Sequence, residues 1–322
     1  MCAAVAFEHG VLLVANKDDR TLGLVDPQAG RQVAAVSVAG TTGHEVTASA
    51  DGRTAFVPIY GDSGVGKPGS DGRNIVVIDL ASQRIVGEID FGHGVRPHCI
   101  LLGRNDGLLY VTTELENSIS IVDPASLKVV GSIPTGQAES HMLAITPDGR
   151  RGYTANVGPG TVSVVDMQLR RTIDVIQVSQ RVQRIAISVD GRHAFTSDQI
   201  KPQLALIDTA ENRIGRWLAL PAPGYGTAPT PDGRWLIVAM PRANQAAIVD
   251  LEALQVTYTV DVPAAPQEVL LHPDGGFAYI SCDSSGKIAV LRTSDWAVET
   301  LIDAGNGADG LAWSVQKAIP PA

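Results

Sequence analysis

Residues 140–157 read SHMLAITPDGRRGYTANV, and this stretch decides how the chain folds. An apolar run at 142–146 is followed by the pair Asp148-Gly149 and then by a second strand-like run at 152–156. Aspartate and glycine tolerate the backbone angles that a tight hairpin turn requires. The stretch therefore predicts two antiparallel strands that are joined by a turn at Asp148-Gly149.

The same pattern recurs along the chain at a nearly constant interval. An Asp-Gly pair follows a short apolar run at Asp51, Asp106, Asp148, Asp190, Asp232 and Asp274. A second aspartate follows another apolar run at Asp26, Asp79, Asp123, Asp166, Asp208 and Asp250. From Asp148 to Asp274 each step is 42 residues. Repeats of about 40–45 residues with four short strands are typical of the blades of a propeller.

We predict four strands, A to D, in each repeat, at 142–146, 152–156, 162–166 and 172–177 in the unit quoted above. Strand A then opens at residues 44, 98, 141, 183, 225, 267 and 309. Seven openings predict an all-β fold, a seven-bladed β-propeller of four-stranded blades that forms a single domain over residues 1–322.

The two ends of the chain are expected to complete one blade together. The N-terminal runs 11–15, 21–25 and 31–38 are typical of strands B, C and D, and a strand at 310–313 can pair with them. Such pairing closes the ring and removes two exposed sheet edges. Residues 2–7 also resemble strand A and compete for the same position. We favour the C-terminal strand.

The interval between His44 and His98 is 54 residues, longer than the other steps. The extra residues lie between strands B and C at 61–70, in the glycine-rich sequence GDSGVGKPGS. Such a composition predicts a flexible loop, at the rim where strands A begin. Both a lid over that rim and a tolerated surface insertion are consistent with it.

Several phrases resemble one known family. Residues 148–157 (DGRRGYTANV) and 108–113 (LLYVTT) are similar to the repeats of the YVTN-repeat, YncE-like seven-bladed β-propellers, and the likeness covers essentially the whole chain. One branch of these proteins has phrases similar to the His-Glu pair at 44–45, RPH at 96–98, SHM at 140–142 and DGLAW at 309–313. The resemblance implies the propeller fold. It implies little about chemistry, because the family includes binding proteins, lactonase-like relatives and members of unknown role.

Charge and cysteine content exclude several classes of function. The formal net charge is −9 and no block of Lys or Arg occurs, which argues against a nucleic acid or an anionic membrane as partner. Three cysteines without CxxC spacing argue against a disulfide framework and a thiolate zinc site. The N-terminal residues, MCAAVAF, lack the basic segment of a signal peptide. We expect a soluble, cytoplasmic monomer, or a periplasmic or secreted protein if a leader has been removed.

Three of the seven histidines, His44, His98 and His141, open strand A of successive blades. Strand A is the innermost strand of a blade, so these residues occupy adjacent sectors of one ring at the channel mouth. Three imidazoles with an open position are typical of a catalytic metal site. The pattern predicts one divalent transition metal ion, with zinc or iron favoured and copper as an alternative. The competing interpretation is that polar residues lining a channel are simply solvated.

Further residues of the ring are candidates for supporting roles. Asp309, the neighbour of His44 on the ring, is predicted to be a fourth ligand or to hold a metal-bound water. Glu45 is a candidate for orienting an imidazole. Arg184 and Glu268, next along their strands, are candidates for binding an anionic group or moving a proton, and salt bridges between blades are the alternative.

The other half of the ring carries Gln183, Tyr225 and Gln267, which offer hydrogen-bonding groups. A small organic substrate could bridge this half and the metal. The leading hypothesis is therefore a metal-dependent enzyme with hydrolase, lactonase-like or lyase chemistry, in which Glu45, Arg184, Tyr225 and Glu268 are candidate catalytic residues. Two alternatives stay open: a mononuclear iron or copper oxidoreductase at the same site, and a non-catalytic propeller that binds a protein or ligand.

Overall fold

Short strands and tight turns make up almost all of the described chain. A computed structural model describes residues 10–38, 42–62 and 64–315, and within them it contains strands and two single-turn 3₁₀ helices, Glu114–Glu116 and Asp283–Ser285. The strands form seven antiparallel sheets whose innermost strands contact one another in a ring. The predicted seven-bladed β-propeller is confirmed.

The strands are numbered in chain order. Blades 1 to 3 use β1 (Val11–Asn16), β2 (Thr21–Asp26), β3 (Arg31–Ser37), β4 (Thr42–Gly43), β5 (Thr47–Ala48), β6 (Thr54–Gly61), β7 (Asp71–Asp79), β8 (Arg84–Asp90), β9 (Pro97–Leu102), β10 (Leu109–Thr113), β11 (Ser118–Asp123) and β12 (Lys128–Pro134). Blades 4 and 5 use β13 (Ser140–Ile145), β14 (Arg151–Asn156), β15 (Thr161–Asp166), β16 (Arg171–Gln177), β17 (Ile185–Ile187), β18 (His193–Ser197), β19 (Gln203–Asp208) and β20 (Arg213–Ala219). Blade 6 uses β21 (Thr227–Pro229), β22 (Trp235–Met240), β23 (Gln245–Asp250) and β24 (Gln255–Asp261). Blade 7 uses β25 (Pro266–Leu271), β26 (Phe277–Cys282), β27 (Lys287–Arg292) and β28 (Val298–Asp303), and β29 (Ala308–Ser314) belongs to blade 1.

Blade 1 closes the ring by joining the two ends of the chain. β29 pairs antiparallel with β1, with Ala312 opposite Leu13 and Ser314 opposite Val11. The sheet order is β29-β1-β2-β3, so the C-terminal strand occupies the innermost position. The prediction that this strand closes the ring is confirmed. The competing run at residues 2–7 lies outside the described residues.

The core lies between neighbouring blades. Every residue of β1 is buried, whereas the outermost strand β8 is mostly exposed. Inner strands are covered by a blade on each side, which explains why their sequences are nearly continuous apolar runs. Burying one such Val, Leu or Ile side chain contributes about 1.5–3 kcal/mol, so the many interblade contacts supply most of the stability.

Aspartates hold the turns, as the repeat pattern predicts. In the A–B turn of blade 4, Asp148 accepts hydrogen bonds from the Thr146 hydroxyl at 2.6 Å and from the Arg150 N–H at 3.0 Å. Gly149 follows with φ +70°, a conformation that glycine adopts without a Cβ penalty. In the C–D turn, Asp166 accepts the N–H groups of residues 168 and 169 at 3.0 and 2.8 Å. Within the described residues no helix is both long and apolar enough to cross a membrane.

Candidate functional site

The innermost strands are irregular where they begin, and this irregularity turns side chains into the channel. Between β4 and β5 the strand is interrupted at residues 44–46, which places His44 outside the regular strand pairing. The pairing of β9 with β10 shifts register next to His98, and that of β13 with β14 shifts between Ser140 and Met142. Bulges of this kind re-aim single side chains, which a regular strand would alternate between faces.

The three predicted histidines lie together. The ring centroids of His98 and His141 are 3.6 Å apart, and those of His44 and His98 are 5.3 Å apart. His98 and His141 are each only 2% exposed, whereas His44 is partly open. The tertiary structure therefore brings together residues that are 54 and 43 positions apart in the chain.

Tyr60 forms one wall of this group and was not a sequence-based candidate. Its ring lies edge-on to all three imidazoles, with centroid distances of 5.1 Å to His44, 5.3 Å to His98 and 6.0 Å to His141. Its hydroxyl donates a hydrogen bond to Glu114 Oε2. Burial and the Glu114 carboxylate raise the pKa of Tyr60, so its phenol stays protonated and keeps donating.

Two carboxylates stand beside the Nδ1 atoms of the outer histidines. Asp309 Oδ2 is 3.3 Å from His44 Nδ1, and Glu114 Oε2 is 3.7 Å from His141 Nδ1. On its other nitrogen, His141 Nε2 lies 3.2 Å from the Gln183 amide. His98 Nδ1 and His141 Nδ1 are both buried without a hydrogen-bond partner among the described residues, since 3.7 Å is too long for a hydrogen bond. Carboxylates at the far nitrogen are the usual companions of imidazoles that ligate metals.

Burial keeps the inner imidazoles neutral. It lowers the pKa of His98 well below the ordinary value, and the nearby His141, His44 and Arg184 lower it further. Burial also lowers the pKa of His141, although Glu114 opposes the shift. A neutral imidazole has a lone pair to donate, which is the form that binds a metal ion.

The two carboxylates remain ionised. Burial opposes ionisation of Asp309, but the hydrogen bond to His44 and the charges of Arg184 and Lys17 together lower its pKa. Burial likewise opposes ionisation of Glu114, but the nearby His141 imidazole and the hydrogen bond from Tyr60 outweigh that effect and lower its pKa. Both side chains are therefore hydrogen-bond acceptors at neutral pH.

Arg184 closes the channel beneath the histidines. It belongs to blade 5, yet its Nη2 lies 2.8 Å from Glu45 Oε1 in blade 2 and 2.9 Å from Asp309 Oδ1 in blade 1. Its Nη1 is 3.6 Å from Glu268 Oε2 in blade 7. The guanidinium therefore spans the channel, and it is only 5% exposed. We call Arg184 and the three carboxylates around it, Glu45, Glu268 and Asp309, the charged floor of the channel mouth.

The predicted supporting residues are thus part of this floor. Glu45 contacts Arg184, whereas the carboxylates beside the three imidazoles belong to Asp309 and Glu114. Burial raises the pKa of Glu45 well above its usual range and also raises that of Glu268. Burial raises the pKa of Tyr225 to about 12, and its ring lies 5.2 Å from the Arg184 guanidinium carbon. The salt-bridge alternative for Arg184 and Glu268 is observed directly.

The inserted segment folds back over this rim. Arg96 Nη2 donates to the Lys67 carbonyl at 2.7 Å, and Arg96 Nε contacts Asp71 at 2.6 Å. The N–H of Gly66 donates to Glu114 Oε1 at 3.2 Å. Residues 64–71 therefore contact the same carboxylate that faces His141. This agrees with the prediction that the insertion lies over the face where strands A begin.

Sequence reasoning missed Glu114 and Lys17, although a signal was available. Both residues immediately follow strand B of their blade, as do Asp198 and Asp283 in blades 5 and 7. Lys17 Nζ lies 3.0 Å from Asp283 and 3.6 Å from Asp309. Aligning the repeats on the end of strand B, as well as on the start of strand A, would have found these ionisable residues at the same rim.

The side chains at this site are of the types that bind metal ions, but their observed positions do not form a metal site. Among the residues that the structure describes, no group of three or more His, Cys, Asp or Glu side chains is already arranged to hold a metal. The rings of His98 and His141 are tilted by 33° and nearly face to face, so their nitrogens do not converge on one point. Neutral imidazoles, buried nitrogens without partners and adjacent carboxylates are nevertheless the donor set that zinc, iron and copper use. The predicted metal site stays a prediction.

Comparison with solved structures shows the fold. A chain of Kuenenia stuttgartiensis hydrazine synthase superimposes with a TM-score of 0.76 at 19% identity, covering 93% of this chain and 97% of that chain. Dihydro-heme d1 dehydrogenase NirN superimposes with a TM-score of 0.68 at 14% identity, covering 94% and 74% of the two chains. Both neighbours are enzymes by name, but at these identities the likeness concerns the fold alone.

Comparison with curated proteins finds distant relatives. The protein YncE of Salmonella typhi is 25% identical over 171 residues, which are 52% of this chain and 48% of YncE. The seven-bladed β-propeller protein Rv1057 of Mycobacterium tuberculosis is 26% identical over 210 residues, 62% of this chain and 50% of that protein. The chain thus spans about half the length of the curated relatives it matches. No family model matches it. The seven observed blades and these relatives show that the chain is a seven-bladed β-propeller similar to YncE and Rv1057.

Proposed function

We propose that the protein is a metal-dependent enzyme that acts on a small organic molecule at the channel mouth. His44, His98 and His141 would hold one divalent transition metal ion, with zinc or iron favoured and copper as an alternative. The observation that carries the proposal is the proximity of three histidines from adjacent blades, two of them buried and kept neutral, beside the carboxylates of Asp309 and Glu114. A merely solvated channel would not keep imidazoles 2% exposed.

The bound ion would supply Lewis acidity, either by polarising a substrate oxygen or by lowering the pKa of a bound water. Hydrolase, lactonase-like or lyase chemistry needs no more than this. Asp309 and Glu114, 3.3 and 3.7 Å from the Nδ1 atoms of His44 and His141, would orient these outer imidazoles. Both Asp309 oxygens already face cations or His44, which favours this orienting role over the role of a fourth ligand.

The opposite half of the mouth would bind and orient the substrate. Gln183, Tyr225 and Gln267 carry amide groups and a phenol at the other positions of the ring. Because Arg184 closes the channel below, substrate and product would pass through the same rim.

Glu268 is our candidate for moving a proton. Its carboxyl has a raised pKa, lies 3.6 Å from Arg184 and is 19% exposed, whereas the Glu45 side chain is 6% exposed. A carboxyl whose pKa is raised toward neutrality is suited to general acid or base catalysis. Glu45 is buried against Arg184 and is therefore less well placed than Glu268 to reach a substrate.

Elemental analysis tests the metal directly. Protein produced without a histidine tag is expected to contain about one zinc, iron or copper ion per chain, and His98→Ala is expected to lose it. His193→Ala is the matched control, because His193 opens β18 beside the A–B turn and therefore lies at the other rim. A parent protein without stoichiometric metal contradicts the proposal.

Activity assays then separate the classes of function. A panel of lactones and esters tests hydrolase and lyase chemistry, and oxygen uptake with candidate substrates tests the oxidoreductase alternative. Turnover that is lost in His98→Ala supports the enzyme. Stoichiometric metal with no turnover in either assay contradicts the proposed catalysis and favours the binding-protein alternative.

A further inference from the structure

We propose that Arg184 is a positioning residue for His44: through Asp309 it selects the imidazole tautomer that leaves Nε2 free to bind a metal. We call this set of contacts the Arg184 relay: it links Arg184 in blade 5 to Asp309 in blade 1, and Asp309 to His44 in blade 2. It rests on the proposed function only in treating His44 as a ligand. The effect on the tautomer is expected in the metal-free protein as well, and it can be measured there.

Three carboxylates hold the Arg184 guanidinium in a fixed position. Its Nη2 contacts Glu45 at 2.8 Å and Asp309 at 2.9 Å, and its Nη1 lies 3.6 Å from Glu268. The guanidinium is planar and presents its donors in a rigid arrangement, which a flexible lysine ammonium does not reproduce. Because the side chain is buried, solvent does not compete for these contacts. Arg184 therefore determines where the Asp309 carboxylate lies.

Asp309 divides its two oxygens between two partners. Oδ1 accepts from Arg184, and Oδ2 faces His44 Nδ1 at 3.3 Å. Lys17 lies 3.6 Å from the same Oδ2 and adds positive charge without replacing the imidazole. If Arg184 were removed, Oδ1 would lose its donor and the carboxylate would be free to rotate away from His44.

An ionised carboxylate can only accept hydrogen bonds. At 3.3 Å the charged carboxylate favours the imidazole tautomer with a proton on Nδ1, and the lone pair is then on Nε2. The Thr42 hydroxyl, 3.4 Å from Nε2, donates to the Gly61 carbonyl and is the competing acceptor; it is neutral and more distant than the carboxylate. Partners at the far nitrogen fix the tautomer and orientation of metal-binding histidines in the same way, and losing such a partner typically weakens metal affinity about 10–100-fold.

His141 provides an internal comparison. Its neighbouring carboxylate, Glu114, is held by Tyr60, by Arg96 and by the Gly66 N–H, none of which belongs to the Arg184 relay. A change at Arg184 should therefore alter the tautomer of His44 and leave the tautomer of His141 as it is, although the charge of Arg184 also lowers the pKa of His141. General loosening of the fold would alter both.

The test reads histidine tautomers by two-bond ¹H–¹⁵N correlation spectra of metal-free protein, above the ordinary histidine pKa of about 6.5. In the parent, His44 is expected in the Nδ1–H form. Arg184→Met should shift it toward the Nε2–H form without changing His141, and Arg184→Lys should restore the parent pattern in part. If Arg184→Met does not fold, Asp309→Asn should cause the same shift at His44.

Arg151→Met is the matched control, because Arg151 also bridges two blades, donating to the Thr209 carbonyl at 2.6 Å. It should leave the His44 tautomer unchanged. An unchanged His44 in folded Arg184→Met or Asp309→Asn overturns the inference, and so does an equal shift in Arg151→Met. If the parent binds metal, Arg184→Met should weaken affinity about tenfold or more. If the parent binds no metal, the proposed function is wrong, but the spectra still show whether Arg184 controls the His44 tautomer.

Discussion

His98 and His141 lie with their ring centroids 3.6 Å apart, almost face to face, although 43 positions separate them in the chain. Both are buried, so two polar rings share a space that solvent barely reaches. Holding both as imidazolium ions there would be costly, because like charges at this distance repel strongly in a poorly solvated site. The pair is therefore stable only while at least one ring is neutral.

The first prediction concerns protonation. Because the pKa of His98 and of His141 is lowered in the folded protein, both should stay neutral at the pH where unfolded histidines are half protonated, about 6.5. Protons then bind the unfolded chain more readily, so this contribution to stability is present above about pH 6.5 and is lost as the pH falls toward the folded-state pKa. ¹⁵N chemical shifts of the two side chains, followed from pH 8 to pH 5, measure this.

Glu45 and Glu268 act in the opposite direction, because their raised pKa values make the folded protein take up protons on acidification. The stability effect is therefore best measured as a difference between the parent and His98→Gln. The urea midpoint of the parent should fall more than that of the variant between pH 7 and pH 5. Equal falls would show that His98 is not protected from protonation.

The second prediction concerns Tyr60. Tyr60→Phe removes the donor to the buried Glu114 carboxylate, and losing a hydrogen bond to a charged group costs about 1.5–3 kcal/mol. Urea unfolding should show that loss of free energy. Tyr153→Phe is the control, because its hydroxyl has only long contacts of 3.4 and 3.5 Å and should cost less than about 1 kcal/mol. Equal losses would mean that Tyr60 acts only through packing.

The third prediction concerns the contact between the closing strand and His44. A Cβ at Gly310 would lie 2.4 Å from the His44 carbonyl oxygen and 2.6 Å from Glu45 Cα, so the backbone must move. Gly310→Ala should cost about 1–3 kcal/mol and weaken metal binding. Gly215→Ala, where a Cβ meets nothing closer than 3.7 Å, should be close to neutral in urea unfolding and metal titration. Undiminished metal affinity in Gly310→Ala would show that His44 does not depend on this close approach.

The fourth prediction concerns ligand-induced stabilisation. A metal ion that binds only the folded state stabilises it by about 2.7 kcal/mol at a free concentration one hundred times the dissociation constant. Adding zinc to metal-free parent should therefore raise the melting temperature by several degrees, followed by differential scanning calorimetry. His98→Ala should show little response, and His193→Ala should respond as the parent does. A similar rise in His98→Ala would place the zinc elsewhere.

Much of the fold could be predicted, because each blade is encoded locally. Asp148-Gly149 marks a turn by its backbone chemistry, and the 42-residue period counts the blades without reference to long-range contacts. The C-terminal strand was also predictable, since closing the ring leaves no unpaired edge. The same repeat register placed His44, His98 and His141 at one rim.

The partners of these histidines could not be predicted in the same way. Glu45 is adjacent to His44 in sequence, yet the carboxylate beside the His44 imidazole is Asp309, 265 positions away. Register assigns a residue to a sector and a depth in the channel. It does not say how far a side chain reaches, and Arg184 reaches across to blades 1, 2 and 7.

The sequence by itself therefore determined the seven blades, the manner of closure and the ring position of each candidate residue, because turn chemistry and apolar periodicity act over a few residues. Only the tertiary structure decided which side chains meet: Asp309 with His44, Glu114 with His141, and Arg184 with the carboxylates of the charged floor. Those contacts depend on bulges at the strand openings and on long side chains that span a channel. Both are set by the packing of all seven blades at once.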